Sequence, residues 1–357
     1  MKITAAVVLC LLHLSAFAQF DKEKQVVIDN LDKNFPKYSE IAKEIWDYAE
    51  LGFLEEKSTA ILQKQLEQEG FKIDKGVAGM PTAFVATYGS GKPVIGILAE
   101  YDALPGLSQQ AIPTKAPVVE GGNGQGCGHN LFGTASIASA IALKTWLTKS
   151  KKSGTIKLYG TPAEEGGAAK VYIARAGLLD GVDAVINWHP SSQNDASAQT
   201  CLAVKQGMFR FYGRSAHAAA APHRGRSALD GVEAMNYMVN LMREHVPQES
   251  RIHYVIKKGG EAPNVVPDYA EVEYIIRSPE VEGVKDLWNR VVKAAEAGAM
   301  GTETTVKIEV ISGIYNLLPN ETLAKLQHAN LTKVGGVNYT PEEVAFDSFL
   351  PPLTWET

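Results

Sequence analysis

Short apolar segments alternate with helix-like segments between residues 92 and 188, and polar residues follow each apolar segment. The apolar segments are 92–99 (K-P-V-I-G-I-L-A), 156–159 and 184–188, and the helix-like segments are 134–148 and 168–176. An apolar run without alternation is typical of a strand that is buried on both faces of a parallel or mixed sheet. The pattern therefore predicts an α/β domain with a mixed, mostly parallel sheet and a site at the strand ends.

Two helix-like segments precede this part of the chain, and a different pattern follows it. The two preceding helix-like segments are residues 22–50, which are interrupted at Pro36, and residues 58–70. From about residue 202 the expected elements are strands at 208–212, 251–256, 270–276 and 305–311, with helices at 227–245 and 281–299. The order β-α-β-β-α-β predicts a ferredoxin-like α+β domain inserted into the first one. We expect the first domain to comprise 21–201 and 316–357, and the inserted domain to comprise 202–315.

The N-terminus has the three parts of a secretory signal peptide. Lys2 precedes an apolar run at 3–14, and Ala16-Phe17-Ala18 provides a small-x-small cleavage site. The pattern predicts a signal peptide over 1–18 and an exported protein, periplasmic or secreted; a buried N-terminal helix is the alternative. The apolar run is too short for a bilayer-spanning anchor, so no membrane span is expected after cleavage. The formal net charge is −5 without a basic run, so nucleic acid is not an expected partner.

Five residues of metal-binding type lie in three short motifs. Cys127 and His129 lie in G-Q-G-C-G-H-N, two glutamates lie in P-A-E-E-G-G, and His189 lies in N-W-H-P. Thiolate, imidazole and carboxylate are the usual ligands of Zn²⁺. Of the adjacent Glu164 and Glu165, one can bind an ion while the other takes a proton from water. The sequence therefore predicts a divalent-metal site.

Each of these residues also has an ordinary structural interpretation. Cys127 could form a disulfide with Cys201, because an exported chain that has lost Cys10 keeps two cysteines. His189 could be a buried core histidine. The two glutamates could mark the N-terminus of a helix, where carboxylates favour the helix dipole.

Further polar residues could support such a site. Asp102, in A-E-Y-D-A-L-P, could orient a metal-binding histidine or bridge ions, and Glu100 nearby is a weaker candidate. In the inserted domain, His217 could stabilise an oxyanion. Asn264, which lies between two prolines, could contact substrate. Arg277 could bind a carboxylate group of the substrate. For these three, an ordinary polar side chain at the protein surface is the alternative.

Together these motifs resemble the zinc aminoacylase and carboxypeptidase superfamily of metallopeptidase-like amidohydrolases, specifically its aminobenzoyl-glutamate hydrolase branch. The motifs are G-C-G-H-N, P-A-E-E-G, N-W-H-P, R-S-A-H-A-A, G-R-S-A-L-D-G and A-P-N-V-V-P, and the resemblance covers about residues 30–345. It implies a catalytic α/β domain and a lid that also forms a homodimer. It further implies a small amide substrate and two divalent ions, Zn or Mn. Their ligands would be Cys127, His129, Glu165 and His189.

The resemblance also implies roles for the remaining candidates. Glu164 would be the general base, His217 would reach the partner subunit's site, and Asn264 and Arg277 would contact substrate. The superfamily takes a last metal-binding histidine from a C-terminal segment, and the last histidine of this sequence is His328, in a helix-like stretch. We therefore expect the C-terminal part of the catalytic domain to be missing. Four ligands suffice for one tetrahedral ion, so about one tight ion and weak turnover are expected.

Three functions follow from these observations. The first is a metal-dependent hydrolase of an N-acyl amino acid or dipeptide, such as aminobenzoyl-glutamate. The second is a cysteine hydrolase with Cys127 as nucleophile, which would leave the paired glutamates unexplained. The third is an inactive exported fragment of such an enzyme that acts only as a binding protein.

Overall fold

The computed structural model of the protein describes residues 2–112, 114–336 and 338–348, and the chain divides into two compact units. The first unit comprises the residues up to Asn194 and the described residues after Gly336; the second is Asp195–Gly336. The domain boundaries at 202 and 315 stay a prediction, because contacts within a chain do not by themselves define a domain.

Among the residues that the structure describes, four α-helices and five strands belong to the first unit before the chain enters the second. The helices are α1 (Lys2–Tyr48), α2 (Glu56–Gln68), α3 (His129–Ser150) and α4 (Ala169–Arg175); the strands are β1 (Lys72–Lys75), β2 (Phe84–Ser90), β3 (Val94–Ala99), β4 (Gly154–Gly160) and β5 (Ala184–Ile186). The strands make one sheet in the order β1-β2-β4-β3-β5. The pairs β3–β4 and β3–β5 are parallel, and β1–β2 and β2–β4 are antiparallel. The predicted α/β fold with a mixed sheet is confirmed.

The sheet is buried on both faces, which explains its continuous apolar strands. On one face Ile45 of α1 and Ile137 of α3 belong to a core cluster with Leu158 of β4. On the other face Tyr159 packs with Ile173 of α4. Each fully buried aliphatic side chain contributes about 1.5–3 kcal/mol. Because β3, β4 and β5 are parallel, the residues after them lie at one edge of the sheet.

The second unit contains four strands and three helices. They are β6 (Ala203–Tyr212), α5 (Ala228–Met242), β7 (Arg251–Lys258), β8 (Tyr269–Ser278), α6 (Val281–Gly301), β9 (Thr305–Ile314) and α7 (Glu321–Val334). The sheet order is β7-β8-β6-β9 with every pair antiparallel. Alternate residues of β8 are buried, and Tyr274 is among those that pack with residues of α5 and α6. The predicted ferredoxin-like α+β domain is confirmed. Helix α8 (Pro341–Ser348) follows and belongs to the first unit.

Two local features of the structure differ from the expectations, and the predicted signal peptide stays a prediction. Helix α1 continues through Pro36 instead of breaking there; Tyr38, Ile41 and Ile45 are buried along it, and this packing offsets the lost backbone hydrogen bond. Strands β1 and β2 had no counterpart in the prediction. The predicted signal peptide falls largely within the backbone of α1, and its first residue lies outside the described residues.

Among the residues that the structure describes, none of the helices combines the length and apolar character needed to cross a membrane. The C-terminal tail 351–357, at the end of the predicted catalytic domain, lies outside the described residues.

Candidate active site

The glycine-rich loop before α3 is shaped by Gly128. This residue has φ of 74°, in the left-handed region, which glycine adopts without steric cost. A Cβ atom at Gly128 would approach the Pro190 ring to 3.0 Å. The absence of a side chain therefore lets the loop that carries Cys127 and His129 lie against the segment after β5 that carries His189.

His129 is the most buried of the candidate ligands. Its side chain is fully buried, and Nδ1 lies 2.9 Å from Oδ1 of Asp102. Its other nitrogen, Nε2, lies 3.0 Å from Oε2 of Glu100, and neither atom makes an aligned hydrogen bond among the described residues. Burial lowers the pKa of His129, but the carboxylates of Asp102 and Glu100 outweigh it and raise that pKa to about 10.

Asp102 connects two strand ends. Oδ2 of Asp102 accepts a hydrogen bond of 2.9 Å from the backbone N–H of Glu165, while Oδ1 faces His129. Burial alone would raise the pKa of Asp102, but these hydrogen bonds hold it below its ordinary value. Asp102 thus has the contacts expected of a residue that orients a metal-binding histidine.

Cys127 and His189 form a second contact at the site. The Sγ of Cys127 lies 3.4 Å from Nε2 of His189, whose Nδ1 lies 2.8 Å from the carbonyl oxygen of Pro190. Burial and the nearby Glu165 raise the pKa of the Cys127 thiol to about 12. Cys127 and Cys201 are both free thiols, so the alternative of a disulfide between them is wrong. His189 is exposed, so it is not a core histidine.

The side chains of the two glutamates have different surroundings. Glu164 keeps 41% of its side chain exposed, and its Oε2 lies 4.0 Å from His129 Nε2. Burial and the charge of Glu100 raise the pKa of Glu164 above its ordinary value. Oε1 of Glu165 is buried without a hydrogen-bond partner. Helix α4 begins at Ala169, so the glutamates precede the helix instead of forming its first turn.

The turn that carries these glutamates is anchored by a buried carboxylate, that of Glu55. Ala163 has φ of 52°, a conformation that is strained for a residue with a side chain. Its N–H donates to Oε1 of Glu55 at 2.7 Å. Glu55 is itself fully buried and also accepts from Thr82. Glu55 could not be identified from the sequence, because nothing in its local pattern indicates a contact 108 residues away.

The donor atoms form two groups that share His129. One group is Cys127, His129 and His189, and the other is Glu100, His129 and Glu164; within each, the donor atoms lie within 4.8 Å of one another. Donors at about 2.1 and 2.3 Å from one tetrahedral ion would be about 3.6 Å apart, close to the 3.4 Å between Cys127 Sγ and His189 Nε2. The buried Nε2 of His129, which makes no aligned hydrogen bond among the described residues, is also available to bind an ion. The residues present therefore fit a divalent metal ion.

Three of the four predicted ligands are brought together: Cys127, His129 and His189. Glu165 is not in either group, although its carboxylate acts on the Cys127 thiol. Glu100, a weaker candidate from the sequence, lies with its Oε2 3.0 Å from Nε2 of His129. Its signal in the sequence is its position as the first residue after β3.

The inserted-domain candidates lie in the second unit, where two of them are adjacent. The segments of His217 and Asn264 are joined by a β-bridge between His217 and Val265 and by a hydrogen bond from Ala218 N–H to the Asn264 carbonyl. Nδ1 of His217 accepts from two backbone N–H groups, of Ala219 and Ala220. The ring proton of a neutral His217 therefore lies on Nε2, where it can be donated.

Arg277 lies at the other end of the sheet in this unit. It pairs with Val204 near the start of β6, whereas Tyr269 pairs with Tyr212 at the end of β6 that precedes His217. Eight residues separate Arg277 from Tyr269, which is about 26 Å along a strand. The structure therefore does not bring Arg277 together with His217 and Asn264 within one unit.

These features define a class of protein. A mixed sheet whose parallel strands end in thiol, imidazole and carboxylate donors, with a partly exposed glutamate beside them, is the arrangement of a metal-dependent hydrolase.

Comparisons with known proteins agree with this class. Residues 204–303 match the model of a peptidase dimerisation domain, M20_dimer. The chain is 44% identical over 320 residues to a p-aminobenzoyl-glutamate hydrolase subunit of Escherichia coli (strain K12), covering 89% of this chain and 66% of that protein. It is 30% identical over 334 residues to Xaa-Arg dipeptidase of Mus musculus, covering 90% of this chain and 74% of that protein. The chain thus spans about two thirds to three quarters of these relatives' length.

A solved structure has the same fold. It is a dinuclear metal-binding peptidase of the M20 family from Bacillus subtilis, with a TM-score of 0.59, 20% identity, and coverage of 88% of this chain and 86% of that one. The protein belongs to the M20 family of metal-dependent peptidases and amidohydrolases, which act on amide bonds. The resemblance stated from the sequence motifs is confirmed.

Proposed function

We propose that this protein hydrolyses the amide bond of an N-acyl amino acid or dipeptide, such as aminobenzoyl-glutamate, at a divalent-metal site. The observation that carries the proposal is the pair of donor groups that share His129, whose buried Nε2 has no aligned hydrogen bond among the described residues. The substrate class is supported by the relatives, which include a p-aminobenzoyl-glutamate hydrolase and an Xaa-Arg dipeptidase.

Zn or Mn would be held by Cys127, His129, Glu165 and His189. When bound, a divalent ion supplies positive charge that polarises the amide carbonyl and acidifies water. Asp102 keeps the Nδ1 proton of His129 directed at itself and leaves Nε2 available to the ion. His189 is oriented in the same way by the Pro190 carbonyl.

Glu164 acts as the general base. It removes a proton from the attacking water and transfers it to the nitrogen of the leaving amine as the C–N bond breaks. Its partial exposure gives water access, and its raised pKa makes it a stronger base than an ordinary glutamate. The adjacent Glu165 faces Cys127 instead. Glu164 is therefore the proton acceptor in this mechanism, and Glu165 is the metal ligand.

The inserted domain supplies groups for the substrate and the dimer. His217 would donate its Nε2–H to the oxyanion in the partner subunit's site, and Asn264 and Arg277 would contact substrate. The match to a dimerisation domain supports a homodimer. Mixing His217→Ala and Glu164→Gln proteins should restore partial activity, because one hybrid site keeps both residues. Failure to recover activity after verified subunit exchange would indicate that His217 acts within its own subunit or is only structural.

A cysteine hydrolase is the competing function, because the Cys127 thiol faces His189 at 3.4 Å. A nucleophilic cysteine requires a lowered pKa, whereas that of Cys127 is raised to about 12. Aminobenzoyl-glutamate and Xaa-Arg dipeptides should be assayed before and after chelation and after Zn²⁺ or Mn²⁺ is returned. Metal-dependent turnover is expected. A cysteine hydrolase would keep its activity after chelation, and a binding protein would bind these compounds without turnover.

We also propose that the protein is exported after cleavage of residues 1–18. The basic residue, apolar run and small-x-small site at the N-terminus support this proposal. Fractionation of cells that express the full chain tests it, with a deletion of 2–14 as the matched control. Equal retention of both forms in the cytoplasm would contradict export.

A further inference from the structure

Glu100 is a buried carboxylate whose two oxygens have different surroundings. It is 2% exposed and follows β3 directly. Its Oε1 accepts from Nζ of Lys170 on α4. Its Oε2 has no aligned hydrogen bond and lies 3.0 Å from Nε2 of His129, which also has none. Leaving buried polar atoms without partners is costly, so the facing pair requires an explanation.

The separation of this pair matches two ligands of one ion. A histidine nitrogen and a carboxylate oxygen at about 2.1 Å from a tetrahedral ion are about 3.4 Å apart, and the 3.0 Å between His129 Nε2 and Glu100 Oε2 is close to that separation. Glu164 is the other carboxylate near His129, but its oxygen lies 4.0 Å away and its side chain is 41% exposed. Both oxygens of Asp102 are occupied, by His129 Nδ1 and by Glu165 N–H.

We propose that Glu100 is a further ligand of the ion that His129 holds, and that Lys170 positions it. This inference rests on the proposed function, because it requires that the site binds a metal. Lys170 occupies one oxygen of Glu100 and so directs the other at the ion's position. The arrangement leaves Glu164 free to exchange protons with water.

The competing explanation requires no metal ligand at Glu100. In it, a protonated His129 is paired with Asp102 and Glu100, and the carboxylate of Glu100 only balances the charges of His129 and Lys170. The two explanations differ in what Glu100 does for metal affinity, which can be measured without any substrate.

The test is Zn²⁺ affinity, measured by competition with a chromogenic chelator on the full chain. Glu100→Gln should weaken Zn²⁺ binding by more than about 100-fold, above the 10–100-fold that loss of an outer-shell partner costs. Glu100→His should restore most of the affinity, since imidazole can replace a carboxylate ligand. Lys170→Met should have a smaller effect, about 10–100-fold, because it only frees Glu100 to move.

The matched control is Glu69→Gln. Glu69 forms a half-buried ion pair with Lys144 at 3.2 Å, outside the donor groups, so its loss should leave Zn²⁺ affinity unchanged. Circular dichroism melting of every variant checks folding. Unchanged affinity in folded Glu100→Gln would overturn the inference and leave the proposed function intact. Absence of tight Zn²⁺ binding by the unchanged chain would overturn both.

Co²⁺ absorption provides a second readout that separates ligand from outer-shell roles. Removal of a ligand should change the position and intensity of the d–d bands of the Co²⁺-loaded chain, and Glu100→His should give a new spectrum with nitrogen character. Identical Co²⁺ spectra for the unchanged chain and Glu100→Gln would show that Glu100 is not a ligand.

Discussion

A single methyl group at Gly52 should displace the catalytic turn. A Cβ atom at this position would lie 2.7 Å from Cβ of Ala163, about 0.7 Å inside the 3.4 Å at which ordinary contact begins. Ala163 is 2% exposed and its backbone N–H is bound by Glu55, so Ala163 cannot move away from an added Cβ atom without disturbing this contact. Overpacking of this kind costs about 1–3 kcal/mol.

The expected effect of Gly52→Ala is larger on catalysis than on stability. The next residue after Ala163 is Glu164, and a misplacement of about 1 Å in a catalytic group can lower the rate about 100-fold. The melting temperature should fall by roughly 2–12 °C, at about 2–4 °C per kcal/mol for a unit of this size. Steady-state hydrolysis and thermal melting measure the two effects.

Gly301→Ala is the matched control. A Cβ atom at Gly301, the last residue of α6, would have no neighbour within 4 Å, so this variant should keep its stability and activity. If Gly52→Ala also keeps both, the close approach of Gly52 to Ala163 does not constrain the turn, and our explanation of how Glu164 is positioned fails.

Three further predictions concern stability, metal binding and processing. Tyr274→Phe should cost about 1–3 kcal/mol, because it leaves buried Asn236 without its hydrogen bond of 2.5 Å; urea denaturation measures it, and no change would show that the bond is dispensable. Cys127→Ser should weaken Zn²⁺ binding at least about tenfold, whereas Cys201→Ser, at an exposed thiol, should not; equal titration curves would remove Cys127 from the ligand set. N-terminal sequencing of exported protein should begin at Gln19, and an intact Met1 would contradict cleavage.

The position of the site could be predicted from the sequence because it depends on short-range patterns. Apolar strands can be recognised locally, and Asp102, Glu164 and His189 each follow one of them. Parallel strands then bring those residues to one edge of the sheet without further information. The glycines around Cys127 indicated a loop in the same way.

The remaining features depend on contacts between distant segments. The role of Glu100 requires Lys170, on a helix 70 residues later, to occupy one of its oxygens. The separation of Arg277 from His217 follows from strand register in the second unit, which periodicity does not specify. The uninterrupted α1 depends on packing of Ile41 and Ile45 beyond Pro36, a tertiary effect that outweighs local propensity.

Glu164 and Glu165 have separate roles in the proposed mechanism, and one paired measurement tests this assignment. Glu164→Gln and Glu165→Gln proteins would be compared with the unchanged chain for bound metal by elemental analysis and for amide hydrolysis. We expect Glu164→Gln to keep its metal and lose about 10²–10⁴-fold in rate, as removal of a general base does. Glu165→Gln should lose metal and activity together. Near-full activity of Glu164→Gln, or loss of its metal, would contradict the account.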